Sequence, residues 1–282
     1  MGAGSAPPPT LTQPSGVRTL YTRSEAEADE LCGAVASDVA AAHLAVIGLD
    51  IEWTVTYEAG QTQRCAAVMQ LSTGRSVLVF QLSAMRRFPE ALAALLEDVS
   101  LLKTGCKVGN DALKLRRDYG VCASGLLELS DLAARCLPRN GDRPWSLADL
   151  VEEVLGRRLP KDESVRRSDW EAARLSDEQL EYAALDAWAS LAVAHELLRR
   201  RATSGGGGSA GGGGSAGGGP GAPHAPDPRS CSVAAAPAAV VAPAELVRRL
   251  VPPHDPIVRA VEPDPMWSRG VSRRRLERRG SV

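Results

Sequence analysis

The stretch LAVIGLDIEWT, from Leu44 to Thr54, places two carboxylates at the end of an apolar run. Its apolar residues predict a buried strand. Alternate residues of a strand share a face, so Asp50 and Glu52 should point the same way, with Ile51 on the other face. Two acids at the end of a core strand repel each other and lose hydration, and a divalent cation between them would relieve both costs. The alternative is a strand end that reaches solvent, where acids need no partner.

Two later segments offer further polar groups for such a site. Asp111 follows a strand predicted over residues 101–108 and is expected at a strand-to-helix junction; alternatively, it is an acid favoured by the helix dipole. Tyr182 and Asp186 are four residues apart in a long helix predicted over 176–201, so they share one face. That face is otherwise apolar, so an inward Asp186 needs a partner. The alternative is a Tyr–Asp pair at the surface.

The other predicted elements are short and mixed. Strands are predicted over 17–22, 64–72 and 76–82, and helices over 24–42, 88–98, 112–119, 129–137 and 146–155. The turn Thr73-Gly74-Arg75 indicates a hairpin. The strand of Asp50 and the two that follow it are therefore expected to form three antiparallel strands with one exposed edge. The polar segment 160–170 is expected to be irregular.

Composition divides the chain into four parts. Residues 1–16, rich in Pro, Gly and Ala, are expected to be disordered, and residues 17–202 to form a single catalytic domain. A linker rich in Gly, Ser and Pro follows over 203–230, and residues 231–282 form a low-complexity basic tail. Within the tail, residues 244–251 are a helix candidate that is too short to be stable alone.

Charge is unevenly distributed along the 282 residues. The net charge is -1, but the last 14 residues contain six arginines and a single acid, Glu277. The rest of the chain is therefore mildly acidic. An acidic body with a basic tail suits a metal-using domain that carries an electrostatic appendage. The tail is either a tether to nucleic acid or a nuclear import signal.

Cysteine and hydropathy patterns exclude several classes of protein. The six cysteines are scattered and form no C-x-x-C pair, so the spacing of a zinc site is absent. Without a secretory signal, they are expected to be reduced thiols in an intracellular protein. Since no apolar run approaches the roughly 20 residues of a membrane span, no membrane partner is expected.

Three segments together resemble a known enzyme class. LDIEW, KVGNDALKLRRDYG and EYAALDAWA are similar, in this order, to the three exonuclease motifs of the DEDDy class of 3′-5′ exonucleases. The resemblance is closest to the Werner-type exonuclease domain and its stand-alone relatives. It extends to ribonuclease D through WSLADLVEEVLGRRLPKDESVRRSDW. It covers roughly residues 17–201 and includes no helicase.

The resemblance implies a ribonuclease H-like α/β fold, with a mixed sheet flanked by helices. It also implies two Mg²⁺ or Mn²⁺ ions. Asp50 would bridge both ions, Glu52 and Asp186 would complete one site, and Asp111 would hold the second. Tyr182 would orient the attacking water, because a tyrosine with a pKa near ~10 is a poor base at neutral pH.

Four residues are candidate substrate contacts. Lys161, Arg166 and Arg167 have the charge that phosphate binding requires, although a solvated loop explains them equally well. Trp53 directly follows the acid pair, and either lines the cleft for a terminal base or packs beside the core strand.

The expected function is hydrolysis of phosphodiesters from the 3′ ends of DNA, with release of nucleoside monophosphates. The first alternative is a 3′-5′ exoribonuclease of the ribonuclease D type, because the motifs do not report the sugar. The second is a catalytically silent module that binds nucleic acid. A role in DNA repair in the nucleus is the expected setting, an organelle being the alternative, while protein partners are unknown.

Overall fold

The computed structural model describes residues 6–42, 46–55, 63–138, 143–204 and 258–259. The strands in this part of the chain are β1 (Arg18–Thr22), β2 (Val46–Glu52), β3 (Val68–Ser72), β4 (Ser76–Phe80), β5 (Leu102–Gly105), β6 (Leu126–Glu128) and β7 (Val258–Arg259). The helices are α1 (Glu25–Ala42), α2 (Glu90–Glu97), α3 (Val108–Tyr119), α4 (Leu129–Cys136), α5 (Leu147–Leu155), α6 (Glu163–Arg166) and α7 (Asp177–Ser204), with a 3₁₀ turn at Leu82–Ala84.

The strands form a single mixed sheet in the order β1-β4-β3-β2-β5-β6-β7. Strand β3 is antiparallel to both β2 and β4, which confirms the predicted antiparallel trio. The trio is not left with an exposed edge, because β1 pairs with β4 and β5 pairs with β2, both in parallel. The mixed sheet with flanking helices is thus confirmed, and it places β2 at the centre.

The two faces of β2 bury different groups. Ile47, Leu49 and Ile51 belong to the core cluster that includes residues of α1, α2 and α3. Val46 belongs to the cluster that contains α4, α5 and α7 on the opposite face. Period-two alternation therefore places Asp50 on the α7 side, as the sequence predicts.

Gly48 allows α7 to lie directly on this face of β2. A Cβ atom at this position would lie 2.1 Å from the carbonyl oxygen of Ala187 and 3.2 Å from Cβ of Leu191. Backbone-to-backbone packing of this kind requires a residue without a side chain. The contact fixes the height of α7 above the end of the strand that carries the acids.

Several predicted elements differ from the structure, and the short helix α6 lies in the segment 160–170, which is predicted to be irregular. Helix α3 begins at Val108, so Asp111 lies in its first turn and not ahead of it. Gly109 and Asn110 are weak helix formers, but amide groups in a first turn have no intrahelical partner, so their cost is small there. Strand β3 begins at Val68 and not at residue 64, and the three-residue strand β6 is absent from the predicted elements.

The N-terminal segment is held against the domain, in contrast to the expected disorder of residues 1–16. Among its described residues, 6–16, Leu11 is buried and its amide donates to the carbonyl of Arg158 at 2.8 Å. The amide of Arg158 in turn donates to Pro9 at 2.9 Å. One apolar side chain and a few backbone bonds therefore suffice to order a segment whose composition indicates disorder.

One short part of the tail also joins the sheet. Strand β7 pairs with β6 in antiparallel register, with Arg259 opposite Leu126 and Val258 opposite Leu127. Val258 packs against the cluster that contains α4, α5 and α7. The helix candidate at 244–251 and the basic run from Arg269 lie outside the described residues.

The described cysteines Cys32, Cys65, Cys106, Cys122 and Cys136 are free thiols, as expected. In the part of the chain that the structure describes, no helix combines the length and the apolar character that a membrane span requires.

Candidate active site

Three carboxylates converge between β2 and α7. The side chains of Asp50, Glu52 and Asp186 are half-buried, and each offers an oxygen that lies within 4.8 Å of the oxygens offered by the other two. Asp50 and Glu52 are brought together by strand alternation, as predicted. Asp186 reaches them from α7, so the partners of this inward acid are the two acids of β2.

The position of Asp186 depends on how α7 begins. The Ser176 hydroxyl accepts from the amide of Gln179 at 3.2 Å, and the Gln179 side chain accepts from the amide of Ser176 at 2.9 Å. This reciprocal pair is a capping box, and it fixes the first turn. From there the helix crosses Gly48, so that Asp186 is carried by backbone contacts and not by a mobile loop.

The three acids destabilise one another's charged forms. Burial raises the pKa of Asp50 well above its usual value, and Glu52, Asp111 and Asp186 raise it further. Burial, followed by Asp186 and Asp111, raises the pKa of Glu52 in the same way. Burial raises the pKa of Asp186 to about 6, against the opposing effect of a hydrogen bond from Tyr182. Such a cluster favours the binding of a cation.

Asp111 lies near this group without being one of its three members. It is 8% exposed in the first turn of α3, and its charge acts on both Asp50 and Glu52. Burial, followed by the charge of Glu128, raises the pKa of Asp111 to about 8. The structure therefore places Asp111 at the side of the trio, where a second cation would have a carboxylate of its own.

Tyr182 contacts the trio through its hydroxyl group. The hydroxyl donates a hydrogen bond to Asp186, and the ring lies against the fully buried Trp170, with ring centroids 6.2 Å apart. Burial, followed by the charge of Asp186, raises the pKa of Tyr182. Tyr182 thus stays protonated at neutral pH, so its hydroxyl can donate a hydrogen bond but cannot act as a general base.

The predicted cationic contacts differ in how they face the acids. Arg166, on the exposed helix α6, lowers the pKa of both Glu52 and Asp186, and Lys161 lowers that of Asp186. Arg167 is exposed and pairs with Glu163 at 3.2 Å. The structure therefore brings two of the three cations into electrostatic range of the trio.

Trp53 is half-buried, and its contacts are those of the packing interpretation. It packs against the core cluster on the α3 side. The ammonium nitrogen of Lys114 lies 4.8 Å from the centre of its ring, which fits a cation–π contact. Lys114 is itself fixed by the buried carboxylate of Asp118 at 2.9 Å. The ring is therefore held in place beside the acid pair.

Two residues near the trio are not among the predicted site residues. Glu128, at the end of β6, accepts from the amide of Lys107 at 2.8 Å and acts on Asp111. Lys107 has a φ of 65°, so Glu128 stabilises a strained turn that leads into α3. Cys106 is half-buried near the acids, since Glu128, Asp50 and Asp186 all add to the effect of burial in raising its pKa. The sequence signal that could have located Glu128 is the apolar pair Leu126 and Leu127 before it, but two residues are too few to predict a strand.

The donor set fits a hard divalent cation. All members of the trio, and Asp111 beside it, offer carboxylate oxygens, which are the ligands that Mg²⁺ and Mn²⁺ prefer. The three residues are half-buried, so the trio lies at the margin of the core. The arrangement suits chemistry on a phosphodiester, whose charge a cation neutralises.

Comparison with known proteins agrees with this geometry. The sequence model of the 3′-5′ exonuclease family matches residues 21–201. The bifunctional 3′-5′ exonuclease/ATP-dependent helicase WRN of Mus musculus is 38% identical over 152 residues, which are 54% of this chain and 11% of that protein. A 3′-5′ exonuclease of Arabidopsis thaliana is 34% identical over 179 residues, 62% of each chain.

The fold is also that of solved nucleases. The crystal structure of Escherichia coli RNase D, an exoribonuclease involved in structured RNA processing, has a TM-score of 0.54 and is 27% identical. The match covers 67% of this chain and 46% of RNase D. In each of these three comparisons the chain spans less than two thirds of its relative's length. The sheet, the acid trio and the matched residues 21–201 show that the chain belongs to the 3′-5′ exonuclease family, with DEDD-type acids on a ribonuclease H-like fold.

Proposed function

We propose that the chain removes nucleoside monophosphates from the 3′ ends of DNA with the help of two Mg²⁺ or Mn²⁺ ions. The observation that carries the proposal is the convergence of carboxylate oxygens of Asp50, Glu52 and Asp186 within 4.8 Å of one another. A hydrogen bond links Tyr182 to Asp186 in this group. In this proposal Asp50 would take part in holding both ions. Glu52 and Asp186 complete one site, and Asp111 provides the second.

Two of the acids have structural features that support their proposed roles. Asp50 is affected by the charges of all three other acids, which suits a carboxylate shared between two positions. Asp111 approaches from α3, opposite the α7 side that carries Asp186. Bound divalent cations would supply charge neutralisation at the scissile phosphate and at the leaving 3′ oxygen.

Tyr182 has the properties of a group that positions water. Its raised pKa keeps the Tyr182 hydroxyl protonated. The hydrogen bond to Asp186 fixes the orientation of this hydroxyl group. The ring of Trp170 packs against the ring of Tyr182. Its indole N–H donates to the carbonyl of Arg166 at 3.1 Å. The same tryptophan thus supports both Tyr182 and helix α6.

Helix α6 is proposed to bind the substrate backbone. Arg166 and Lys161 act electrostatically on the acids, so a phosphate near the trio is also near these cations. Arg167 and Trp53 complete the proposed contacts, the first with a more distant phosphate and the second with the terminal base. The anchored position of Trp53 beneath Lys114 supports a fixed stacking surface.

DNA is the first candidate substrate because the three motifs resemble the Werner-type exonuclease domain, and the 38% identity to the bifunctional exonuclease/helicase WRN agrees with that resemblance. The 27% identity and shared fold with RNase D, an exoribonuclease, support RNA as the second candidate. The two differ in the 2′-hydroxyl of the substrate, which a protein recognises through local contacts.

Digestion of labelled substrates tests the proposal. A 5′-labelled DNA duplex with one recessed 3′ end and an RNA of matching sequence are incubated with the full chain in Mg²⁺, Mn²⁺ or EDTA. A metal-dependent ladder on DNA that Asp50→Ala abolishes is expected. A ladder on RNA alone would assign the enzyme to RNA processing. Undiminished digestion by Asp50→Ala, or binding without cleavage, would refute the proposed mechanism.

A role in DNA repair in the nucleus is part of the same proposal. Its support is the basic run from Arg269 to Arg279, a composition typical of nuclear import signals. Microscopy of the tagged chain, with and without residues 269–282, tests it. An unchanged distribution would count against an import signal.

A further inference from the structure

Gln70 is a fully buried polar residue in the centre of the sheet. It lies in β3, and both its Oε1 and its Nε2 are buried without a hydrogen-bond partner. Among the described residues, the other side chain with such an atom is Arg201, which lies near the end of α7. An amide buried without partners costs roughly 1–3 kcal/mol, so its presence in a core strand calls for a reason.

The register of the sheet places Gln70 directly opposite Asp50. Strands β2 and β3 are antiparallel, and Asp50 pairs with Gln70, while Glu52 pairs with Val68. Directly opposed residues of an antiparallel pair extend from the same face, with Cβ atoms roughly 4.5–5.5 Å apart. The side chains of Gln70 and Asp50 therefore leave the sheet as neighbours on the side facing α7, and the carboxamide can reach the carboxylate of Asp50 by a change of rotamer or through one water.

Most of the described surroundings of Gln70 are apolar. Val68 and Val79 lie on the same face, in the cluster that includes Ala183, Ala184 and Ala187 of α7. Ser72, the other buried polar side chain of β3, already accepts from the amide of Gly74 at 3.4 Å. Asp50 is the charged residue directly opposite Gln70, so its carboxylate is the polar group toward which we expect the carboxamide to turn.

We propose that Gln70 is a positioning residue for Asp50, whose carboxylate it orients by donating its Nε2–H directly or through one water. The inference rests on the proposed function, since orientation matters only if Asp50 holds cations. Groups that hydrogen-bond to metal-binding carboxylates fix the direction of the ligand oxygens. A neutral amide performs this task without adding charge to a cluster that already repels itself.

Metal affinity measured without nucleic acid tests the proposal. Mn²⁺ is titrated calorimetrically into the full chain and into Gln70→Met, a variant of similar shape that cannot donate. The Kd for Mn²⁺ is expected to rise roughly 10–100-fold in Gln70→Met. In EDTA, the variant should be as stable as wild type or more so, because two unpaired polar atoms are removed. A folded Gln70→Met with a Kd within twofold of wild type overturns the proposal.

Ser72→Ala is the matched control. Ser72 is buried in the same strand and on the same face, but it pairs with Gly48 and not with an acid. Its substitution is expected to leave the Kd for Mn²⁺ unchanged. If Ser72→Ala weakens Mn²⁺ binding as much as Gln70→Met, the effect belongs to the packing beneath α7 and the proposal fails.

A second measurement needs no substitution at the site. The side-chain amide resonances of Gln70 in ¹⁵N-labelled wild type should shift, and exchange more slowly with solvent, as Mg²⁺ is added. Resonances that do not move at saturating Mg²⁺ overturn the proposal. If wild type neither binds Mn²⁺ nor digests nucleic acid, the proposed function fails first. If wild type does both and Gln70→Met retains its Kd, only the inference about Gln70 fails.

Discussion

At the scale of single residues, the clustering of the acids destabilises their charged forms. Asp50 is raised in pKa by burial and then by three neighbouring carboxylates, and without a bound cation each of these interactions disfavours its charged form. Functional groups held in this way trade folding stability for chemistry. Substitution of one acid should therefore separate the two quantities.

Asp50→Asn is predicted to increase stability and abolish activity. In EDTA at pH 8, removal of one charge relieves the repulsion, and each kcal/mol gained raises the unfolding temperature by roughly 2–4 °C. In Mg²⁺, digestion should fall by roughly 100-fold or more, because several kcal/mol of charge stabilisation are removed. Calorimetric scans measure the unfolding temperature, and initial rates measure digestion.

Glu181→Gln, at an exposed position of α7, is the control and should change neither the unfolding temperature nor the rate of digestion. A lower unfolding temperature for Asp50→Asn would contradict the prediction.

Tyr182→Phe is predicted to reduce turnover with little effect on folding. Phenylalanine keeps the ring contact with Trp170 but cannot donate to Asp186. We expect kcat to fall roughly 10–100-fold, since the hydroxyl fixes a ligand carboxylate and the water beside it. Single-turnover digestion gives the rate, and thermal unfolding confirms the fold. Wild-type kcat in a folded variant would remove Tyr182 from the mechanism.

At the scale of elements, the contact between β2 and α7 assembles the site. Gly48→Ala should disrupt it, because the new Cβ would lie 2.1 Å from the backbone oxygen of Ala187, which cannot move alone. We expect a destabilisation of roughly 3 kcal/mol or more, at the upper end for single substitutions, together with loss of Mn²⁺ binding.

Gly33→Ala is the matched control for Gly48→Ala. It lies within α1, and nothing is within 4 Å of the added Cβ. Alanine in a helix should stabilise the domain by roughly 0.5–1 kcal/mol there. Urea unfolding of both variants checks the pair. Equal effects of the two substitutions would show that α7 does not rest on Gly48 as described.

A buried lysine joins α2 to β5. Lys103 donates from Nζ to the carbonyl oxygens of Asp98 and Leu101, both at 2.7 Å, and of Leu95 at 3.3 Å. These carbonyls lie in and just after the last turn of α2, so the side chain closes that end of the helix. Burial lowers the pKa of Lys103 to about 7, against the weaker opposing effect of Asp98.

Lys103→Met is predicted to destabilise the domain, and by more at high pH. Without the N–H donors of Lys103, buried carbonyls are left unpaired, at roughly 1–3 kcal/mol. Because the folded pKa is about 7 and the unfolded value 10.5, the unfolded state binds more protons between these pH values. The stability that wild type owes to Lys103 therefore rises from pH 7 to 10.5 and is lost as pH falls through that range.

Urea unfolding at pH 7 and pH 9 measures the difference between Lys103→Met and wild type. Arg23→Met, at an exposed arginine remote from the acids, is the control and should leave the difference between the two pH values unchanged. A cost that is the same at both pH values would mean that Lys103 stays protonated, held by its three carbonyl partners.

Elements with a strong pattern are predictable from the sequence, and those defined by tertiary contacts are not. The acid pair is predictable because alternation puts Asp50 and Glu52 on one face of an apolar strand, and Asp186 because an inward acid needs a partner. Strand β6 is not predictable, because three residues carry too little periodicity. Glu128, which lies at the end of β6, is therefore not predictable either. Gln70 falls within a predicted strand, but its position opposite Asp50 depends on register, which pattern alone does not fix.

At the scale of the whole molecule, segments near both ends of the chain pack against the domain. Leu11 packs into the same cluster as Val258, so segments far apart in sequence contact the side of the sheet that carries α4, α5 and α7. Composition indicates disorder in both regions, since neither contains a continuous apolar pattern. Their order comes from a few side chains that find a surface already formed, which no local signal reveals.

The distribution of charge leads to a prediction about nucleic-acid binding by the whole chain. Residues 269–282 hold six arginines on an otherwise acidic chain, so they should contribute most of the salt-dependent attraction to phosphates. A chain that ends at Ser268 retains the catalytic domain and β7. Fluorescence anisotropy in EDTA, from about 50 to 200 mM salt, gives the Kd for DNA of the full chain and of the shortened chain. In the shortened chain, the slope of log Kd against log salt should be lower by roughly 0.7–0.9 for each phosphate that the arginines no longer neutralise. Turnover at saturating DNA should not change, because the tail contributes none of the proposed catalytic groups. Equal slopes for both chains would show that the arginines do not bind the substrate, and would leave binding to the cations around α6.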